Sequence, residues 1–351
     1  MTPYTVLEER ARAVLPQPVF DYYAGGSGDE ETLAANARAW SAVRLRPRVL
    51  RDVSRVDTST TVLGTRVAAP VLVAPTAFHR LAYPAGELAT AEGTSTAGSL
   101  LVLSTRSSTR IETVAAAAGP WWFQVYVLRD RSLTKDLVQR AAAAGARALV
   151  LTGDTPYVGR KRRDRGGLAI PDEDFRANLE RLTDVTLAEQ AADVSFEDIG
   201  WLRELSGLPV LVKGVLRGDD AARCLESGAA GVVVSNHGGR QLDGAVATAE
   251  ALPEVVQALA GRGEVLVDGG VRSGRDVVRA LALGARAVLV GRPVLWGLAT
   301  EGAAGVHRVL TELQEDTAHV MGLAGASSVP EVTADLVWAP PATPGPNLSD
   351  K

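Results

Sequence analysis

Eight short apolar runs rich in Val and Leu recur along the chain, and they limit its fold more than any other feature. They are PVLVAPTA (70–77), LLVLST (100–105), WFQVYV (122–127), ALVLTGD (148–154), PVLVKGV (209–215), GVVVSNH (231–237), EVLVDGG (264–270) and AVLVGRP (287–293). Most lack polar–apolar alternation, which is the mark of strands buried on both faces, as in a parallel sheet. Between them lie Ala-rich amphipathic stretches of helical length, such as RSLTKDLVQRAAAAGA (131–146) and SGRDVVRALALGA (273–285). The second closes on Gly284, at the position of a helix C-cap. Eight strand–helix units in series predict an α/β chain, a (β/α)₈ barrel. An open doubly wound sheet is the alternative, but the first turn carries no G-x-G-x-x-G.

With 351 residues, 46% of them hydrophobic, the chain can bury a large core. We read residues 1–340 as one domain, with 1–69 a helical N-terminal extension and 155–200 an insertion after the fourth strand, partly mobile. The Pro-rich tail 341–351 is read as disordered. A net charge of −4 gives no nucleic-acid footprint. No apolar stretch reaches the length of a membrane span, and the N-terminus does not read as a signal peptide. The single cysteine, Cys224, allows no disulfide framework and suits the cytoplasm; it reads as a buried helix residue. No metal motif occurs, and His79, His307 and His319 show no ligand spacing.

In such a barrel, chemistry gathers at the C-terminal ends of the strands. Strand by strand, those ends carry Thr76, Ser104, Gln124 with Tyr126, Thr152 with Asp154, Lys213, His237 with Arg240, Asp268 and Arg292. A lone strand-end histidine often serves only a loop hydrogen bond, but His237 converges with Asp154, Lys213 and Arg240. Asp154 can orient the imidazole and stabilise its protonated form. Lys213 sits in a run that otherwise reads as buried, where a cation needs an anion; a structural salt bridge is the competing reading. Arg240 follows two glycines and can clamp a carboxylate bidentately. DGGVRSGRD (268–276) and VGRP (290–293) form the usual barrel phosphate site, from glycine-rich amides, a helix N-terminus and two arginines. The basic run Arg160–Arg163 begins six residues after Asp154 and can reach over the mouth. On these residues alone a flavin enzyme, a flavin-free isomerase or lyase acting on a phosphate substrate, and a non-catalytic binding barrel all remain open.

The segments FDYYAGGSGDEETLAANARAW, APTAFHRLAYPAGE, FQVYVLRDR, LTGDTP, LVKGV, SNHGGRQLDG, DGGVRSG and VGRP together resemble the FMN-dependent α-hydroxy acid oxidase/dehydrogenase family. The resemblance runs from about Phe20 to Ala326, and SNHGGRQLDG is highly specific. AGGSG, NHGGRQLDGA and MGLAG are most similar to its actinobacterial 4-hydroxymandelate-oxidising members. The resemblance implies FMN as cofactor and oxidation of an L-2-hydroxy acid, an aryl one, with small aliphatic acids such as lactate or glycolate as the alternative. It implies His237 as base, Arg240 as carboxylate clamp and Lys213 beside the flavin, stabilising its reduced anion. Tyr22, Tyr126 and Lys161 would meet the substrate. Pro75, Thr76, Ala77, Ser104, Gln124, Thr152 and Ser235 would surround the flavin ring, and Asp268, Gly269, Gly270, Arg272, Gly291 and Arg292 its ribityl and phosphate. Ala77 fits O₂ as acceptor, giving H₂O₂, and family resemblance implies a homo-oligomer, a tetramer. Three positions depart from the pattern. Lys161 stands for Arg, which removes a planar fork; Arg106 stands where a pocket Trp is found; Tyr22 matches glycolate and lactate oxidases rather than hydroxymandelate oxidases.

Overall fold

The structure is a computed structural model that describes residues 3–163 and 167–338. Three helices open the chain: α1 (Pro3–Val14), α2 (Gln17–Ala24) and α3 (Glu31–Ala42). A two-stranded antiparallel hairpin follows, β1 (Thr60–Val62) and β2 (Thr65–Val67). Eight parallel strands then close a barrel. They are β3 (Val71–Val73), β4 (Leu101–Leu103), β5 (Trp121–Val125), β6 (Leu149–Thr152), β7 (Val210–Val215), β8 (Gly231–Val234), β9 (Glu264–Val267) and β10 (Ala287–Val290). Their order around the ring is β10-β3-β4-β5-β6-β7-β8-β9, sealed where Val288, Leu289 and Val290 pair with Val71, Leu72 and Val73. The predicted barrel is present.

The lack of alternation has its cause in this closure. Leu72, Val102, Trp122, Val150, Leu211, Val233, Leu266 and Leu289 point into the ring and form one buried cluster. Their neighbours Val71, Val73, Leu101, Leu103, Phe123, Leu149, Leu151 and Val232 join the second, outer cluster under the helices. Those helices are α4 (Gly86–Thr96), α5 (Ile111–Ala117), α6 (Arg131–Ala143), α7 (Asp172–Arg176), α8 (Glu197–Ser206), α9 (Gly218–Glu226), α10 (Thr248–Leu259), α11 (Gly274–Ala282) and α12 (Arg292–Ala324). Cys224 is buried on α9, where burial pushes its thiol up to about 12.

Two expectations need correction. The strands stop two to four residues short of most apolar runs, so that Pro75–Ala77 and His237 lie in loops and Arg292 opens α12. The extension is not wholly helical: Val62 and Val67 belong to the cluster inside the barrel, so the hairpin plugs its N-terminal end. The two-residue turn Leu63–Gly64, both at positive φ, permits that fold-back. The insertion contains α7, a 3₁₀ turn at Val185–Ala188 and the first turn of α8, and Lys161 bridges to Gly28 of the extension. The tail 341–351 lies outside the described residues. No helix among the described residues is long and apolar enough to cross a membrane.

Candidate active site

The C-terminal mouth opens on a cavity of about 480 Å³, a size suited to a cofactor or small ligand. Tyr22, Tyr126, Lys161, Lys213, His237 and Arg240 line it. So do Pro75, Thr76, Ala77, Ser104, Asp268, Gly269, Gly270, Arg272, Gly291 and Arg292. Four other candidates stand behind this lining. Gln124 accepts from Ser104 Oγ at 3.2 Å and donates to Thr152 Oγ1 at 2.8 Å. Ser235 Oγ accepts from Lys213 Nζ at 2.8 Å and from the His237 amide at 3.0 Å. Asp154 reaches the cavity through His237.

His237 occupies the left-handed region at φ 58, with Gly238 at 64 and Gly239 at 75. A non-glycine residue held there is strained, and such strain gathers at functional sites. Its Nδ1 lies 3.1 Å from Asp154 Oδ1, a contact that fixes the ring and leaves Nε2 as the second nitrogen. Burial pushes the Asp154 carboxyl up, but the neighbouring charge and hydrogen bond of His237, and then Lys213, outweigh it and hold it below the ordinary carboxylate value. The approach depends on Gly214, which has φ 107 at a register shift in β7. A Cβ there would stand 2.5 Å from the Asp154 Cβ.

Lys213 is 4% exposed and pairs with Asp268 Oδ2 at 3.1 Å. The competing reading of a salt bridge inside the barrel is therefore realised, and it is realised in the cavity wall: a buried cation has met its anion. Asp268 Oδ1 remains buried without a hydrogen-bond partner.

Two arginines are set by the C-terminal end of α2. Arg240 Nη1 donates to the carbonyls of Tyr22 (2.6 Å) and Gly25 (2.8 Å), and its guanidinium lies 5.1 Å from the Tyr22 ring centroid. Arg292 donates to the carbonyls of Tyr23, Gly238 and Gly25 at 2.9–3.0 Å. A helix end offers such unpaired carbonyls. Arg272 lies 4.2 Å from the Tyr4 ring centroid of α1. Burial, then the charges of Arg240 and Arg272, push Arg292 down to about 9. Because a guanidinium keeps its proton, that strain amounts to a demand for an anion. At the loop expected to hold phosphate, Asp276 accepts from the amides of Arg272 (3.0 Å) and Ser273 (3.1 Å), and the Gly274 amide donates to Asp316 Oδ2 at 2.5 Å, so these amides at the start of α11 are already paired within the protein. Glycine backbone and arginine charge remain.

Burial, then Asp154 and Tyr22, keep the Tyr126 hydroxyl protonated far above the ordinary phenol range. Of the basic run, Lys161 lines the cavity and its Nζ donates to Gly159 O at 3.3 Å, whereas Arg162 and Arg163 turn to Asp29 and Glu30 of the N-terminal extension, beside a separate depression. Sequence reasoning missed Tyr23, whose hydroxyl donates to Phe78 O at 2.6 Å, and the insertion's contribution to the lining, Ile170, Phe175, Glu189 and Gln190. The insertion has no strand periodicity to mark which of its residues turn inward.

This cavity fits FMN on its own features. Asp268 Oδ1 is an orphaned acceptor on the wall, and Gly269 and Gly270, at φ 84 and 86, bring bare backbone to the same side. Arg272 and Arg292, both on the cavity wall, offer a phosphate's counter-charge. The FMN-dependent dehydrogenase family matches residues 11–339. The chain belongs to that family, and its cofactor is FMN. The 4-hydroxymandelate oxidase of Amycolatopsis orientalis is 48% identical, over 92% of this chain and 94% of that one. The L-lactate oxidase of Nostoc sp. is 46% identical, over 94% and 96%. A mandelate oxidase solved with (S)-4-hydroxymandelic acid superposes with a TM-score of 0.90 at 46% identity, covering 95% of this chain and 98% of that one.

Proposed function

We propose that the protein oxidises an L-2-hydroxy acid with an aryl side chain, of the mandelate or 4-hydroxymandelate kind, to the 2-oxo acid and passes the electrons to O₂, forming H₂O₂. The observation that carries this reading is the His237–Asp154 pair and the Arg240 guanidinium on the wall of one cavity. Bound FMN supplies the two-electron acceptor and the site of reaction with O₂. Arg240 holds the substrate carboxylate through the nitrogens that the α2 carbonyls leave over, a bidentate arrangement. His237 takes a proton from the substrate at Nε2, and Asp154 stabilises the imidazolium that results. The Tyr126 and Tyr22 hydroxyls and Lys161 contact substrate oxygens. Lys213, held by Asp268 and Ser235, sets a positive charge against the reduced ring.

Pro75, Thr76, Ala77, Ser104, Gln124 and Thr152 surround the flavin ring. Gly269, Gly270, Arg272, Gly291 and Arg292, with Asp268, hold the ribityl and phosphate. Residues 1–340 form one catalytic domain, which acts in the cytoplasm as a homo-tetramer; the single cysteine supports the first setting and family resemblance the second. The test is anaerobic mixing of the holoenzyme with mandelate, 4-hydroxymandelate, lactate and glycolate, followed by air. Fast flavin reduction by the aryl acids and fast reoxidation by O₂ are expected. Reduction by lactate or glycolate alone overturns the aryl assignment, and reoxidation by quinone but not by O₂ overturns the oxidase assignment.

A further inference from the structure

Arg106 lies in the turn after β4 and lines the cavity. Its Nη2 donates to the Ala188 carbonyl of the insertion, and its guanidinium lies 5.1 Å from the Phe175 ring centroid. Nη1 is buried with no hydrogen-bond partner, and among the described residues no carboxylate pairs with this guanidinium. By contrast, Arg129 on the same wall is paired with Glu189 at 2.8 Å. Burial pushes the Arg106 pKa down, while Tyr126 and Tyr22 oppose the shift. An unsatisfied donor on a buried cation favours any occupant that brings an acceptor.

The topology says which part of the occupant this is. His237 and Arg240 follow β8, and Arg106 follows β4, four places away in the ring of eight. The two groups therefore face each other across the mouth. A 2-hydroxy acid whose carboxylate and reacting carbon are held at the β8 side directs its side chain toward the β4 side. Arg106 stands on that far side, with the Phe175 ring beside its guanidinium.

We propose that Arg106 is a specificity-determining residue whose guanidinium donates to an oxygen at the far end of the substrate's side chain, a ring hydroxyl in the aryl acids. This rests on the 2-hydroxy acid reading of the cavity. The test compares shape-matched substrates, 4-hydroxymandelate and 4-methylmandelate, by anaerobic flavin reduction with the holoenzyme. Wild type should favour the hydroxyl in kcat/KM by about tenfold to a hundredfold, the range of a hydrogen bond to a charged group. Arg106→Met should bring the ratio to within about twofold, and Arg106→Lys should restore part of it, with FMN content serving as the control for folding. A structural role alone would slow both substrates together and leave the ratio unmoved. A wild-type ratio near one, or an unchanged ratio in Arg106→Met, overturns the proposal; the wild-type ratio decides if the variant does not fold. If only aliphatic acids reduce the flavin, the aryl reading falls separately. The comparison of 2-hydroxyglutarate with 2-hydroxy-5-methylhexanoate then decides Arg106 by the same criterion. No reduction by any 2-hydroxy acid overturns both.

Discussion

The two ends of the barrel are built to opposite rules. At the N-terminal end the hairpin turns Val62 and Val67 into the ring, 0% and 1% exposed, against an apolar cluster. At the C-terminal end Lys213 and Asp268 are buried as an ion pair, His237 is held at positive φ, and one oxygen each of Asp154 and Asp268 has no partner. One end gains burial, and among the described residues its exceptions are two: Leu63 turns at φ 43, and the Trp122 indole N–H is buried without a partner. The other tolerates strain and unmet polar groups, which persist only where the surrounding fold over-determines them. The contrast separates what holds the barrel shut from what gives it chemistry, and substitutions at the two ends should report it.

The largest effect is expected from His237→Ala. Anaerobic flavin reduction should slow by about 10³-fold or more, in the range for losing a positioned base, while FMN content stays near that of wild type. Near-normal reduction at neutral pH would remove His237 from the chemistry. Asp154→Asn follows at about 10²-fold, the low end of the range for proton-transfer assistance, because the ring keeps a partner but the imidazolium loses its counter-charge. The same pair gives a pH signature. The Asp154 carboxyl sits below its ordinary value in the folded chain, so its stabilising contribution is fully present above the unfolded value of about 3.9 and is lost as pH falls through the lower folded one. On acidification the Tm difference between wild type and Asp154→Asn should thus begin to shrink only below about pH 5. Shrinkage beginning near pH 6 would contradict the assigned direction.

Gly214→Ala sharpens the comparison from the backbone side. The added methyl must displace Asp154 at a φ that alanine resists. Stability should fall by about 1–3 kcal/mol and flavin reduction by roughly tenfold; unchanged kinetics would show that Asp154 need not stand where it does. Val67→Ala, at the opposite end, should lower stability by about 2 kcal/mol and leave the rate of flavin reduction within twofold. A catalytic loss there as large as that of Gly214→Ala would erase the distinction between the ends.

The same division governs how much could be read in advance. The barrel was legible because burial on both strand faces writes itself as uninterrupted Val and Leu, in VLV at 71–73 and VVV at 232–234. The mouth was legible because charged residues in such runs have few other places to go, as with Lys213. The hairpin was not, because its three-residue strands are too short for any periodicity to register. The pairing of Lys213 with Asp268 joins neighbours separated by one strand in the ring, a distance that sequence order conceals. The inward-facing Phe175 and Ile170 were hidden for a further reason: the insertion folds against the mouth, and its pattern reflects that surface instead of a helix or strand period. The cap that Asp276 places on α11 is written as S-G-R-D, directly after two glycines and an arginine whose pattern equally suits a phosphate loop.

A single backbone oxygen ties the two arginine sites together. The Gly25 carbonyl accepts from both Arg240 and Arg292. Arg240, in the loop after β8, and Arg292, which opens α12, thus share one acceptor, whose two lone pairs serve both guanidiniums at once. A shift of that one carbonyl would therefore move both guanidiniums together, so the placement of two strand-end arginines hangs on the C-cap of one eight-residue helix.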